Sequence, residues 1–245
     1  MRQDILNLLK DEFKQGKIET KNDILLMIKN QYITGDNQKF QKMYDWMSRG
    51  YDMAETVIGK IRYGDAVQKL RSDFMSKLEW KDNCKVLYVS IGTGRDLSFI
   101  PKSIDVGSLE IVGLDISLGM LRQCQRKYGK KLNLSLINCA AEELPFINDS
   151  FDIVFHVGGI NFFSNKRSAI TEMFRVAKPN SKILIADETA DYIHSQYKKS
   201  GLSKEYFKNA EFDLGEIEES VPEMAREKNI DFLWDNKFYC LTFRK

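Results

Sequence analysis

Histidine and cysteine are scarce in this sequence, and neither is arranged as metal ligands are. The 245 residues include two histidines and four cysteines, with no CxxC pair and no Cys/His ligand spacing. This scatter argues against a zinc site, so we predict that the protein binds no metal. Cysteines spread in this way are typical of buried free thiols in a reducing compartment, and we expect a cytoplasmic protein.

Long apolar runs and a surplus of charge of one sign are also lacking. No stretch approaches the ~18 consecutive apolar residues of a membrane-spanning helix. The first residues, MRQDILNLLKDEF, carry charges among apolar side chains and no signal cleavage site. The 37 basic and 35 acidic residues give a net charge of +2, which leaves no basic footprint for nucleic acid. We predict no integral membrane segment, no nucleic-acid partner, and a small-molecule or lipid-like substrate.

The sequence does contain a regular alternation of short apolar runs with amphipathic helical patterns. The apolar runs predict strands at residues 85–91, 111–116, 133–138, 151–157 and 182–186. Helical patterns at residues 118–128 and 166–177 lie between them, which predicts a mostly parallel sheet with helices on both faces. Near the end, IDFLW and FYCLTF flank DNK, a pattern that predicts an antiparallel hairpin.

The first 50 residues show helical spacing. Apolar residues recur with this spacing twice, first at Ile5, Leu8, Leu9 and Phe13 and then at Ile24, Leu25 and Ile28. We therefore expect residues 1–50 to be a helical extension and residues 51–245 to form one domain. In an enzyme this extension would serve as a lid or as a contact in a homodimer.

The first chemical motif is KVLYVSIGTGRDL at residues 85–97, a buried strand followed by a glycine turn and a helix start. Glycine at Gly92 and Gly94 lets the backbone bend sharply and leaves no side chain between the main chain and a ligand. The helix start offers unpaired N–H groups to an anionic or polar ligand. A tight strand–helix connection with no ligand explains the same pattern, so this motif alone does not decide.

The second motif is IVGLDIS at residues 111–117, where an acidic residue ends the next strand. Asp115 lies 21 residues after Gly94, close to the ~20-residue separation of the ribose-binding acid in nucleotide-binding βαβ units. Asp115 could instead cap the following helix, but Ser117 can do that. Together the two motifs predict a nucleotide-type cofactor site.

Three further segments carry a family resemblance. The segment NCAAEELPFINDSFDIV, starting at Asn138, resembles the part of class I S-adenosylmethionine-dependent methyltransferases, of the ubiquinone/menaquinone C-methyltransferase (type 11) group, that spans their third and fourth strands. EMFRVAKPNSKILIADE resembles the next helix and strand, and MYDWMSRGYDMAE resembles the aromatic entry segment before the first strand. The resemblance covers roughly residues 43–190. It implies an α/β, Rossmann-like, mostly parallel seven-stranded sheet and S-adenosyl-L-methionine as the cofactor.

The resemblance also implies a role for individual positions around the methionine portion and the ribose. Ser90, Gly92 and Gly94 would face the methionine portion of the cofactor. Asp115 would hold the two ribose hydroxyls, and Tyr51 would close over the amino-acid end. These residues form the predicted centre of the site.

Other positions are implied around the adenine ring and the transfer side. Ile116 and Met120 would pack against the adenine. Ala141 would present its backbone N–H to that ring with Glu142 beside it, and Val157 would line the methyl-transfer side. The site is thus expected to extend across the ends of four strands.

Three positions depart from the family pattern. Tyr88 stands where an acidic residue usually helps to hold the cofactor's ammonium group, and Ser90 replaces the first glycine of the loop. Ala140 replaces an aspartate that often bonds the adenine amine. The loss of each such hydrogen bond is on the order of 1–3 kcal/mol. The Tyr88 hydroxyl, Ser90 and Glu142 are the expected substitutes.

His156 is the candidate catalytic base, because it ends the fourth predicted strand beside the transfer side. The alternation of side chains along a strand allows it to point into the packing instead. Methyl transfer requires a base only when the acceptor must lose a proton. The catalytic and the structural interpretation of His156 are therefore both open.

Two rival functions fit part of the pattern. A nicotinamide-dependent oxidoreductase also uses a glycine turn and a ribose-binding acid, but its third glycine would fall at Leu97. A non-catalytic binding or regulatory protein with a methyltransferase fold would explain the departures at Tyr88, Ser90 and Ala140. The enzyme interpretation is favoured because the resemblance extends over several motifs in the right order.

Overall fold

The computed structural model describes residues 3–15, 18–47, 65–197 and 213–245. In this part of the chain nine strands form one sheet in the order β1-β2-β5-β4-β3-β6-β7-β9-β8. The strands are β1 Glu19–Lys21, β2 Ile24–Leu26, β3 Lys85–Val89, β4 Glu110–Asp115, β5 Leu134–Asn138, β6 Ile153–Val157, β7 Lys182–Glu188, β8 Arg226–Leu233 and β9 Phe238–Arg244.

The α-helices that accompany the sheet are α1 Gln3–Leu8, α2 Asp11–Lys14, α3 Gly35–Met47, α4 Ala66–Ser76, α5 Leu118–Tyr128, α6 Lys166–Val176, α7 Ala190–Tyr197 and α8 Leu214–Glu219. Short 3₁₀ helices cover Asn30–Tyr32, Arg95–Phe99 and Ile160–Phe162. Side-chain caps explain two of the main helix starts, because Ser117 accepts from the Met120 N–H and Asn165 from the Ser168 N–H.

The centre of the sheet is parallel, as the sequence predicts. Within the run β2, β5, β4, β3, β6 and β7, each strand pairs in parallel with the next. Their side chains are almost all buried, which is typical of strands covered on both faces. Apolar layers form on the two faces: α4 and α5 pack in one, and α1, α6 and α8 pack in the other.

The N-terminal segment corrects two expectations, the helix around residue 24 and the count of seven strands. Residues 19–26 form a hairpin, and β2 pairs in parallel with β5 at the edge of the sheet. Ile24 is buried in one apolar layer and Leu25 in the other, which only a strand between two layers permits. The hairpin adds two strands to the seven expected, and pairing with β5 outweighs the local helical spacing.

The C-terminal hairpin is confirmed. Strands β8 and β9 are antiparallel, and β9 inserts between β8 and β7, also antiparallel to β7. Tyr239 on β9 lies opposite Asp187 on β7 and Phe232 on β8. This register brings side chains of the hairpin to the carboxyl end of β7.

Candidate functional site

The candidate site lies at the carboxyl end of β3, where the strand order reverses. Strand β4 flanks β3 on one side and β6 on the other. In open α/β sheets, ligands bind in the crevice at such a switch point. The turn at residues 90–94 follows β3 there, and the loops after β4, β5 and β6 end at the same edge.

The glycine turn has three residues in the left-handed region of backbone space. Ser90 has a φ of 55°, Gly92 of 56° and Gly94 of 74°. A Cβ added at Gly92 would meet nothing within 4 Å, whereas one at Gly94 would lie 2.7 Å from the Cys124 sulfur on α5. Gly92 therefore faces open space at the crevice, and Gly94 permits close packing of the turn against α5.

Asp115 ties the end of β4 to this turn. Its Oδ2 accepts from the Gly92 N–H at 2.9 Å, and its Oδ1 accepts from the Ser117 N–H at 2.8 Å. Burial raises the pKa of Asp115 to about 6, against the opposing effect of these N–H donors. A carboxylate offers about four lone-pair sites, so Asp115 retains capacity to accept hydroxyl groups.

Tyr88, the residue at the position of the missing acid, lies in the packed layer. It is 2% exposed, and its ring stacks on Phe155 at 4.2 Å between centroids. Its hydroxyl donates to Asp96, which also forms an ion pair with Arg71 at 2.6 Å. Burial, followed by the neighbouring Asp96 charge, raises the pKa of Tyr88 well above its ordinary value. Asp96 thus provides an acid eight residues after Tyr88, but its carboxylate is already bonded to Tyr88 and Arg71.

The residues predicted around adenine lie at the ends of β4 and β5. Met120 and Ala141 are buried, and Ile116 is partly exposed. The Ile116 carbonyl accepts from the Gln41 side chain at 3.0 Å. The Glu142 carboxylate accepts from the Asn37 side chain on α3 at 2.9 Å, so it is held by the N-terminal segment.

Helix α3 crosses the carboxyl edge of the sheet. At its C-terminal part, the Asp45 carboxylate accepts from the Ser117 hydroxyl and from the Gly119 N–H at 2.8 Å. Nearer the N-terminus of α3, Phe40 packs on Phe162 at 4.4 Å between ring centroids. Together with the bonds of Asn37 and Gln41, these contacts join α3 to the loops after β4, β5 and β6.

His156 lies beneath the end of β6. It is fully buried, its Nδ1 lies 3.1 Å from the Val89 carbonyl, and its ring packs on Phe163. Its Nε2 has no hydrogen-bond partner within the described residues. Burial lowers the pKa of His156 to about 4, so the ring is neutral at physiological pH. Val157, the next residue, is partly exposed.

A second acid, which the sequence analysis missed, holds the turn after β6. Asp187 is the penultimate residue of β7 and is buried. Its Oδ2 accepts from the N–H groups of Gly159 and Asn161 at 3.1 and 3.2 Å, and its Oδ1 accepts from the backbone N–H of Glu188 at 2.8 Å. Burial raises its pKa to about 6. Added Cβ atoms at Gly158 and Gly159 would meet nothing within 4 Å, so this turn also borders open space.

The structure therefore brings most of the predicted residues to one edge of the sheet. The glycine turn, Asp115 and the residues after β4 and β5 meet there, while Tyr51 lies outside the described residues. The residues that sequence reasoning missed are Arg71, Asp187 and the α3 residues Asn37, Gln41 and Asp45. A spacing rule existed only for Asp115; the others are brought to the site by tertiary packing.

The open space at Gly92 and the remaining acceptor capacity of Asp115 fit a cofactor that carries a ribose. A backbone without a side chain admits the ligand, and the acid at the strand end accepts its hydroxyls. None of the helices in residues 3–15, 18–47, 65–197 and 213–245 is long and apolar enough to span a membrane. The same ranges contain no group of three or more His, Cys, Asp or Glu residues placed to hold a metal.

Comparison with known proteins gives a domain match and a relative. Residues 86–180 match the family described as methyltransferase domain. The ubiquinone/menaquinone biosynthesis C-methyltransferase of Geotalea daltonii is 26% identical over 160 residues, which cover 63% of this chain and 65% of that protein. The chain thus spans slightly less than two thirds of this relative.

Two solved structures share the fold. One is a Haemonchus contortus phosphoethanolamine N-methyltransferase 2 in complex with S-adenosyl-L-methionine, with a TM-score of 0.57, 16% identity and coverage of 72% of this chain and 52% of that one. The other is the [4+2]-cyclase SpnF, with a TM-score of 0.66, 14% identity and coverage of 85% and 96%. Residues 86–180 are thus similar to methyltransferase domains, and the described residues share the Rossmann-like fold of class I methyltransferases.

Proposed function

We propose that this chain is an S-adenosylmethionine-dependent methyltransferase that acts on a small-molecule acceptor. The observation that carries the proposal is the pairing of Asp115 with the Gly92 N–H at the switch point of the sheet. This pairing places a carboxylate and an open main-chain turn side by side, as a ribose-bearing cofactor requires. The matched methyltransferase domain spans both residues.

The cofactor would be held by residues from four loops. Asp115 would accept the ribose hydroxyls, and the turn with Ser90 and Gly92 would border the methionine portion. Ile116, Met120, Ala141 and Glu142 would surround the adenine, and Tyr51 and Val157 stay predictions for the amino-acid end and the transfer side. When bound, S-adenosylmethionine supplies an electrophilic methyl group on a positively charged sulfur.

The chain's own contribution is to bind and orient. Asp115, Gly92 and Ser117 are pre-arranged by hydrogen bonds, which limits the entropy lost on binding. Helix α3 would cover the adenosine, since it already joins the loops after β4, β5 and β6. This position supports the lid role proposed for the N-terminal extension. The homodimer stays a prediction, as does the cytoplasmic location, which the four buried free cysteines support.

The catalytic role of His156 stays a prediction too. An imidazole whose pKa is lowered to about 4 is a weak base, and its full burial favours a packing role through Val89. Replacing His156 with Gln separates the two roles. If His156 acts as a base, the substitution lowers kcat to an extent that depends on pH. If it is a packing residue, the substitution mainly lowers the melting temperature.

Calorimetric titration of S-adenosylmethionine, S-adenosylhomocysteine and NAD into the full chain tests the proposed function. We expect saturable binding of the first two and none of the third. Binding of NAD alone would indicate an oxidoreductase. Binding of none of them up to ~10 mM, which corresponds to less than about 3 kcal/mol of binding free energy, would indicate a protein that has lost the cofactor.

A further inference from the structure

A pocket of about 290 Å³ opens beside the turn after β6, between the ends of β7, β8 and β9. Its lining includes Asn161, Glu188, Asp191, Leu214, Phe232 and Tyr239. Asn161 lies two residues after Gly159, and its N–H is fixed by Asp187. The pocket therefore begins at the turn that borders the transfer side of the proposed cofactor site.

One residue of the lining, Tyr239, carries an unsatisfied polar group. Tyr239 is 2% exposed, and its hydroxyl is buried with no hydrogen-bond partner in the described residues. A buried hydroxyl without a partner costs about 1–3 kcal/mol. Such a group beside a pocket would gain its missing hydrogen bond from a ligand that reaches it.

The charge of the lining has one sign. Glu188 and Asp191 contribute carboxylates, and no lysine or arginine is found among the described residues that line the pocket. Phe232, which is 52% exposed, and Leu214 supply apolar surface. A lining of this kind attracts a cation with an apolar body and disfavours carboxylates and phosphates.

We propose that this pocket is the acceptor site and that its acceptor is a small amine with an apolar body. Glu188 and Asp191 would provide the counter-charge for the ammonium form, and Tyr239 would donate a hydrogen bond to a polar atom of the ligand. Before transfer the amine would lose a proton to one of these carboxylates, its lone pair would form the bond to the methyl carbon, and S-adenosylhomocysteine would leave as the bond from that carbon to sulfur breaks. The acceptor role rests on the proposed function, while the preference for a cation rests on the lining alone. Phosphoethanolamine, named for a protein of the same fold, carries a phosphate that this lining would repel.

Three probes with one aromatic body and different charge test the proposal: 2-phenylethylamine, 2-phenylethanol and 3-phenylpropionate. Their dissociation constants for the full chain are measured by ligand-observed NMR, without turnover. We expect the amine to bind at least about tenfold more tightly than the carboxylate, with the alcohol between them. Equal or tighter binding of the carboxylate, or no binding of any probe at ~10 mM, would overturn the proposal.

Substitutions of the two lining acids test whether the preference for the amine arises in the pocket. Glu188→Gln and Asp191→Asn should each reduce the preference for the amine by about threefold or more. Asp235→Asn is the matched control, because Asp235 is an exposed acid in the neighbouring β8–β9 turn, paired with Lys237 and absent from the lining. An equal loss in the control would show that general surface charge, not the pocket, selects the amine.

A titration of S-adenosylmethionine on the same samples keeps the two proposals apart. If the cofactor binds but the amine preference is absent, the pocket proposal fails and the proposed function stands. If the amine preference is present but the cofactor does not bind, the proposed function fails and the pocket remains a site for amines.

Discussion

Two buried acids, Asp115 and Asp187, have nearly the same surroundings and differ in how fully they are bonded. Each is one of the last two residues of its strand, each accepts an N–H from a glycine turn, and burial raises the pKa of each to about 6. Asp187 accepts three backbone N–H groups, two from the turn after β6 and one from the end of β7. Asp115 accepts from Gly92 and Ser117.

The unequal bonding indicates a different role for each acid. We infer that Asp187 holds the turn after β6 in shape, because its oxygens are largely used by the main chain. Asp115 keeps acceptor capacity beside the open position of Gly92, so we infer that it serves a ligand. Substitutions at the two acids and in the glycine turn separate these two roles.

Replacing Asp187 with Ala should destabilise the fold by about 3 kcal/mol, because three backbone N–H groups lose their acceptor in a buried position. Urea unfolding followed by circular dichroism measures this loss. Glu218→Ala is a control for the loss of an exposed acid, because Glu218 on α8 pairs with Lys228 at the surface, and it should cost less than about 1 kcal/mol. A similar small cost for Asp187→Ala would contradict its structural role.

Within the glycine turn, Gly94→Ala should destabilise by about 2–3 kcal/mol. The new Cβ would meet the Cys124 sulfur at 2.7 Å, and the residue has a φ of 74°, so steric overlap adds to backbone strain. Gly92→Ala is the matched variant, with a similar φ and open space, and should cost only about 1 kcal/mol. Equal melting temperatures for the two variants would refute this division of roles.

The affinity for S-adenosylmethionine should depend on pH through Asp115. Ribose hydroxyls donate to the charged form, so binding lowers a pKa that is about 6 in the free protein. Affinity is then complete above pH 6 and falls by up to about tenfold per unit below it. Titrations at several pH values measure this, and Asp115→Asn should flatten the profile. A wild-type profile that is flat from pH 7 to 5 would contradict the assignment.

Part of the fold and part of the candidate site could be predicted from the sequence. Strands β3 to β7 and the C-terminal hairpin could be predicted because their apolar runs are continuous and buried. Strands β1 and β2 could not, since three-residue strands have no measurable period and depend on pairing with β5. In the site, Asp115 has a spacing rule relative to Gly94, whereas Asp187 and the α3 contacts depend on which loops the fold brings together.

The smallest expected effect concerns Ser90, which adopts a φ of 55°, a backbone conformation that favours glycine. Ser90→Gly relieves about 1 kcal/mol of strain, but the greater freedom of glycine in the unfolded chain offsets part of it. We expect a net gain of about 0.5 kcal/mol, a rise of roughly 1–2 °C in melting temperature by calorimetry. A clear fall would mean that the serine side chain makes a stabilising contact.

The central claim is that Asp115, and not Asp187, binds the cofactor. The most direct test is the dissociation constant of S-adenosylmethionine for the wild type, Asp115→Asn and Asp187→Asn, measured by calorimetry on samples shown to be folded. We predict that Asp115→Asn weakens binding by 1–3 kcal/mol, about 5- to 150-fold, and that Asp187→Asn changes it less than about threefold. An unchanged affinity in Asp115→Asn would contradict the account.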